Sequence, residues 1–279
     1  MGENTGIEWT DATWTPVRAR HRQIGNPNAQ PKIGWHCEHV SEGCRNCYAE
    51  GMNKRLGTGL DYKPGNLAPR GPVEMFLDEK LLLAPLKWRK PKRVFVCSMT
   101  DLFADFVPDA FIDRMFAVMA LCPQHSFQVL TKRPERMRAY LQQFDIFTLE
   151  DTEEWRAADY RVDCDDDDNG TAAWHAETGR LEDAIYSTKH ALETSNCLPN
   201  VWLGVSVEDQ AAADARIPLL LDTPAAVRFL SCEPLLGEVD LQRTCGADLC
   251  RAPVARRIST AIATLSRVTC SAKNPILLG

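Results

Sequence analysis

At 279 residues with a formal charge of −6, the chain is long enough to bury a sizeable core and too acidic to wrap nucleic acid by bulk charge. Its 44% hydrophobic and 25% charged residues are ordinary for a globular protein, which excludes a fibrous or wholly disordered chain. Residues 1–15 lack the apolar stretch of a secretory signal, and no run of about 18 apolar residues occurs, so the expectation is a cytoplasmic protein with no membrane partner.

In chain order, the Trp-rich stretch Ile7 to Val17 is expected to start a sheet, and residues 18–36 form a Gly/Pro/Asn/Arg-rich loop. Tyr48 to Leu56 reads as a helix, and Leu77 to Trp88 as another. Arg93 to Ser98 is a buried strand introduced by the breaker Lys-Pro-Lys. Phe111, Met115, Val118 and Met119 recur at helical spacing within a helix over Pro108 to Leu121. A strand over Ser126 to Thr131 precedes a helix from Pro134 to Gln143, with Pro134 well placed in its first turn. Residues 145–199 are far longer than a single connecting helix and read as a removable surface insertion. Were they to enter the core, Trp155, Trp174 and Tyr186 would be the anchors. The pattern then resumes with a strand over Asn200 to Val207 and a helix over Ala211 to Leu221, which Pro218 is expected to bend or end early. Val227 to Ser231 is a last clear strand.

Alternating strands and helices predict a parallel sheet covered by helices. Each strand ends in a polar cluster: Ser98-Met-Thr-Asp101, Thr131-Lys-Arg133, Ser206-Val-Glu-Asp209 and Ser231-Cys-Glu-Pro234. Because ligands gather at the carboxyl ends of parallel strands, these four clusters are expected to share one rim.

Eleven cysteines are many for a reducing compartment. Cys97, Cys122, Cys197 and Cys232 lie in or beside apolar runs and read as small buried hydrophobes. Cys37, Cys44 and Cys47 differ: three thiols within eleven residues, in a loop entering a helix, can converge on one metal centre. Three ligands leave a position open, as in a 4Fe-4S cluster with one iron free for a small molecule. A zinc site would need a fourth ligand, with His36, His39 or Cys97 available. A second Cys-x-x-Cys pair, normal for a structural zinc ribbon, is missing. The acidic run Asp163 to Gly170 sets Asp165, Asp167, Asn169 and Gly170 at the first, third, fifth and sixth positions of a calcium loop. The closing Glu is due at residue 176, which is Ala, so a disordered acidic loop is the expectation.

Six segments together resemble one family: Ile7-Glu-Trp-Thr-Asp-Ala-Thr-Trp-Thr-Pro16, Gly43-Cys-Arg-Asn-Cys-Tyr-Ala-Glu50, Ser98-Met-Thr-Asp-Leu-Phe103, Val129-Leu-Thr-Lys-Arg-Pro-Glu135, Trp202-Leu-Gly-Val-Ser-Val-Glu-Asp-Gln210 and Ser231-Cys-Glu-Pro-Leu-Leu-Gly237. This is the phage-associated three-cysteine group named after phage gene products thirty-seven and sixty-eight, which in turn resembles the radical S-adenosylmethionine superfamily. The resemblance implies a partial TIM-type (βα) barrel over residues 1–241, with its three-cysteine loop after the first strand. It further implies an iron–sulfur enzyme that cleaves S-adenosylmethionine to a 5′-deoxyadenosyl radical. Here six residues separate the first two cysteines, where the superfamily usually has three between them, and Asn46 replaces the aromatic residue usual before the last cysteine.

By position, Ser98, Asp101, Ser206, Glu208 and Asp209 are candidates for the bound S-adenosylmethionine, and Glu233 for catalysis at the substrate. A helix N-cap is the alternative for each. Lys132 and Arg133, with Arg136 and Arg138 nearby, are candidates for a phosphate-bearing substrate, nucleic acid included. The rival to an enzyme is a zinc- or cluster-stabilised phage or defence accessory protein that binds nucleic acid or a partner protein. Residues 242–279 read as an atypical tail, truncated or altered, that leaves the strand at Val227 to Ser231 as an open, aggregation-prone sheet edge.

Overall fold

The computed structural model describes residues 7, 9–22, 29–45, 47–163, 172–232, 234–241, 267–268 and 276–278, with side chains of 163, 172–174, 267–268 and 276–278 set aside. It is a mixed α/β protein built on a parallel sheet. The elements run β1 (Ala12–Trp14), β2 (Val17–His21), β3 (Lys32–Gly34), α1 (Tyr48–Leu56), β4 (Val73–Leu77), α2 (Glu79–Leu82), β5 (Arg93–Val96), α3 (Asp109–Ala120), β6 (Ser126–Thr131) and α4 (Pro134–Gln143). They continue with α5 (Ile146–Glu150), α6 (Glu153–Asp163), α7 (Ala172–Ser195), β7 (Val201–Ser206), α8 (Gln210–Leu221), β8 (Val227–Ser231), β9 (Arg267–Val268) and β10 (Ile276–Leu278).

Five parallel strands lie side by side in the order β1-β5-β6-β7-β8. Each new strand is laid beside the last with no reversal, so the carboxyl ends of β5, β6, β7 and β8 form one continuous rim, as the polar clusters predicted. Val94, Val96, Phe127, Val129, Val201, Leu203, Val205 and Leu230 project from one face into the main core with Ile112, Met115, Phe116 and Met119 of α3. On the other face, Trp9 of the amino-terminal segment lies on Phe95 (ring centroids 4.7 Å apart) and near Phe229 (6.4 Å), and its carbonyl accepts from Gln128 Nε2. Gly204 permits this layer: a Cβ there would sit 2.5 Å from the Phe229 ring.

Four expectations need correction. Residues 18–36 are not all loop: β2 and β3 pair antiparallel with β4 in a separate three-stranded sheet. The signal was the alternation of buried Val17 and Ala19 with Arg18 and Arg20, too short to stand out. Leu77 to Trp88 is not one helix, because Leu77 closes β4, Asp78 caps the short α2, and Pro85 starts a separate 3-10 turn. Pro218 does not end α8, which continues to Leu221. The residue is exposed, so water can replace the missing bond at the carbonyl of exposed Asp214, while Ile217 and Leu220 stay fully buried. Finally, β10 pairs parallel with β8, and β9 pairs antiparallel with β10, so β8 is not an open edge.

The 145–199 insertion is also no loose surface addition. Its helices pack on α3 and on one another, and Leu149, Trp155, Ala158, Ile185 and Leu192 enter the main core. Arg114 of α3 clamps the insertion by bonding Glu154 (2.6 Å) and Glu79 (2.6 Å) together. Trp155 is the buried anchor at 1% exposure, whereas Tyr186 is 75% exposed; the Trp174 side chain and the acidic run with its calcium-loop residues lie outside the described residues. Trp155→Ala should therefore cost about 3–5 kcal/mol in urea unfolding. A loss below about 1 kcal/mol would show that the insertion only rests on the surface.

Candidate metal centre at the sheet rim

The cysteine loop lies across the carboxyl ends of β5, β6 and β7. Cys37 follows β3, Cys44 closes a 3-10 turn over Glu42–Cys44, and Cys47 caps the start of α1. All three are free thiols. Cys37 and Cys47 border a small apolar cluster of Ala49, Tyr62 and Met99, flanked by Trp35 and Met52, and they are within electrostatic reach of each other. Cys44 is 9% exposed and its Sγ is 3.9 Å from Ser41 Oγ. Among the described residues, no three His, Cys, Asp or Glu side chains already stand as a metal-binding group. The donor set nonetheless suits a thiophilic centre: sulfur ligands on one short segment, with no disulfide tying them up.

Two buried ion pairs mount this loop on the sheet. Asp101, just beyond β5, uses all its acceptor capacity internally. Oδ1 accepts from Phe103 N (3.0 Å) and Thr131 Oγ1 (2.7 Å), and Oδ2 from Lys132 N (3.0 Å) and Arg133 (3.0 Å). Arg133 reaches from that pair to the loop, donating to the Glu38 carbonyl (3.1 Å) beside the Cys37 thiol. Burial, with the charge of Asp101 adding to it, pushes the Cys37 thiol up to about 12, and Arg133 opposes the rise. On the far side, Arg216 of α8 grips Glu208 through both nitrogens, at 2.7 and 3.1 Å, and also bonds the Ser206 carbonyl. Glu208 lies against Gly43, where a Cβ would come within 3.1 Å of the carboxyl carbon. Thr100 Oγ1 donating to the His36 carbonyl (2.6 Å), Tyr48 OH to the Ser98 carbonyl (2.7 Å) and Tyr62 OH to the Met99 carbonyl (2.8 Å) complete the mounting.

The rim candidates thus divide. Asp101 and Glu208 are occupied by Arg133 and Arg216, and Asp209 caps α8 by accepting from Ala212 N (2.8 Å). Ser206 is buried at 4%, while Ser98 is half-buried and offers its carbonyl to Tyr48. Glu233 lies outside the described residues. Lys132 and Arg133 are turned inward, Lys132 Nζ standing 3.8 Å from Glu208. Arg136 bonds the Val107 carbonyl and Asp109 (2.6 Å each), and Arg138 bonds Asp222 (2.9 Å). The basic cluster is therefore internally partnered. Cys97 and Cys122 are buried as expected, and Cys197 only partly. Cys97 also follows β5 directly with φ at 55°, a left-handed conformation that costs a non-glycine residue about 1–3 kcal/mol, and it sits within electrostatic reach of Cys37. Arg216 and Tyr62 were not singled out from sequence. The signal for Arg216 was a lone cation on the apolar face of α8.

The match to a family model covers residues 4–263, and the chain belongs to that family, described as "Protein of unknown function (DUF5131)". The match continues past Leu241, where the motifs end. No curated protein and no solved structure matches the chain. Among the described residues, no helix is long and apolar enough to cross a membrane.

Arg216→Met should destabilise the protein by about 3–5 kcal/mol, because it strands the Glu208 carboxylate, which is 1% exposed. Adding Glu208→Gln should recover much of the loss. Burial alone would raise the Glu208 carboxyl, but the bonds from Arg216 and Ser41 and the charge of Lys132 hold it below its ordinary value. A depressed folded value gives stability that is full above the ordinary carboxylate range and disappears as pH falls through the folded one. Denaturant titrations at falling pH should therefore show wild type losing stability faster than the Glu208→Gln, Arg216→Met pair. Parallel pH profiles would contradict the assignment.

Proposed function

We propose that the chain is a radical S-adenosylmethionine-type iron–sulfur enzyme, its 4Fe-4S cluster held by Cys37, Cys44 and Cys47. The observation that carries this reading is the anchoring of an all-thiol loop, by two buried ion pairs, to the ligand-binding edge of a parallel sheet. When bound, such a cluster with one open iron supplies the reductive cleavage of S-adenosylmethionine. The protein supplies the setting. Arg133 places positive charge beside Cys37, which opposes, without outweighing, the upward push of burial and Asp101 on the thiol. Tyr62, Met99 and Trp35 wall the loop with apolar surface that excludes water. Asp101 and Glu208 act as positioning residues, Ser98 and Ser206 remain the rim groups for S-adenosylmethionine, and Glu233 remains the candidate at the substrate from its place in the sequence. The sequential strand order fits an open arc of a (βα) barrel, with Trp9 plugging its inner face.

A second reading, a zinc-stabilised accessory protein, draws on Cys97 as a fourth thiolate beside Cys37. Anaerobic reconstitution separates the two. Wild type should take up iron and sulfide and, once reduced, release 5′-deoxyadenosine from S-adenosylmethionine. Cys37→Ala, Cys44→Ala and Cys47→Ala should each lose the iron, and Cys122→Ala should keep it. Full iron retention in Cys44→Ala, or stoichiometric zinc lost in Cys97→Ala, would overturn the cluster assignment.

A further inference from the structure

The small antiparallel sheet has one face that the cluster reading does not use. On β2, Val17 and Ala19 are buried, so Arg18, Arg20 and, one step beyond His21, Arg22 point the other way. Cross-strand pairing sets Phe76 opposite Arg18, and Ile33 and Glu74 opposite Arg20 on the same face. The arginines are spread over aromatic rings: the Arg18 guanidinium carbon lies 4.6 Å from the Trp35 centroid and that of Arg20 4.6 Å from Phe76. Ile33 is 37% exposed, and the Arg20 and Arg22 side chains are 34% and 67% exposed. Among the described residues, Glu74 is the one acid that pairs with them, 2.6 Å from Arg22 and 3.9 Å from Arg20; Asp78 acts on Arg18 at longer range.

We propose that this face binds single-stranded nucleic acid. Three arginines against one close carboxylate make a basic patch on a chain of net charge −6, complementary to a polyanion rather than to a protein surface of mixed charge. Alternate residues on a strand lie about 7 Å apart, a spacing that an extended polynucleotide can follow phosphate by phosphate. Arg18 Nε already donates to the Gly34 carbonyl (3.0 Å), but a guanidinium stacked on a ring keeps its remaining in-plane donors for phosphate and its outer flat face for a base, and sheet faces that carry aromatic rings take unpaired bases rather than duplex. The face also leads to the rim: Trp35 lies two residues before Cys37 and packs against the same Tyr62–Met99 cluster. This assignment differs from the inward-turned Lys132 and Arg133, and it stands whether or not a cluster is bound.

Fluorescence anisotropy of labelled oligo-dT with the full chain, before and after iron reconstitution, tests it. Wild type should bind at low salt. Arg20→Gln with Arg22→Gln should weaken binding at least about tenfold and make the log–log salt dependence shallower by about 1.4, at about 0.7 per phosphate contact. Ile33→Glu, which places a negative charge on the edge strand directly beside Arg20, should weaken binding independently. Duplex of the same length should compete poorly. The proposal is overturned if wild type fails to bind oligo-dT, or if both variants bind like wild type. It is equally overturned if duplex competes as well as single strand, or if poly-glutamate displaces oligo-dT as well as unlabelled oligo-dT does, which would point to an acidic protein partner. Because binding is read with and without iron, failure of the cluster assignment leaves these outcomes distinct.

Discussion

Glu208 and Arg216 meet at 2.7 Å in a nearly water-free position where β7 gives way to α8, and the cysteine loop rests on them. Across the rim, Asp101 and Arg133 repeat the arrangement between β5 and β6. A buried ion pair is a poor source of net stability, because desolvation offsets much of the attraction. What it supplies is placement. Asp101 accepts four hydrogen bonds and Glu208 a two-nitrogen grip from Arg216, and each pair has a further contact to the loop, through the Glu38 carbonyl on one side and Gly43 on the other. A three-thiol loop with few apolar anchors of its own is thereby held to the sheet.

The sheet makes that mounting possible. Strands laid down in sequential parallel order put residues far apart in the chain side by side at one edge, as Thr131 shows by its hydrogen bond to Asp101 and Lys132 by its ion pair with Glu208. Covering both faces leaves that edge as the natural place for chemistry: helices and the insertion close one face, and Trp9 packs on the other. The insertion contributes to this frame through Trp155 and the Arg114 clamp.

Strands β5 to β8 and helices α1, α3 and α4 were legible because their apolar residues recur at clear periods between Pro and polar breakers. Their shared rim followed from topology alone. The β2–β3 hairpin was hidden by its length and by its arginines, whose aliphatic and planar surfaces pack like hydrophobes over Trp35 and Phe76 while reading as polar in sequence. The insertion was misjudged because its core contacts are few and widely spaced along charged helices. At the site, residue types were readable and partners were not. Asp101 and Glu208 looked like ligand-binding carboxylates, and only the three-dimensional neighbours Arg133 and Arg216 show them to be occupied. Position at the rim likewise drew attention to the basic cluster of Lys132, Arg133, Arg136 and Arg138, whose charges are partnered internally.

The central claim is that this loop, fixed at the rim, is the mount of an iron–sulfur cluster. X-ray absorption at the iron edge of anaerobically reconstituted protein addresses it directly. The account predicts a sulfur-dominated first shell with iron–iron scattering, and a change in that shell when S-adenosylmethionine is added. A shell of oxygen and nitrogen without an iron neighbour would mean that the iron is adventitious, and would contradict the account.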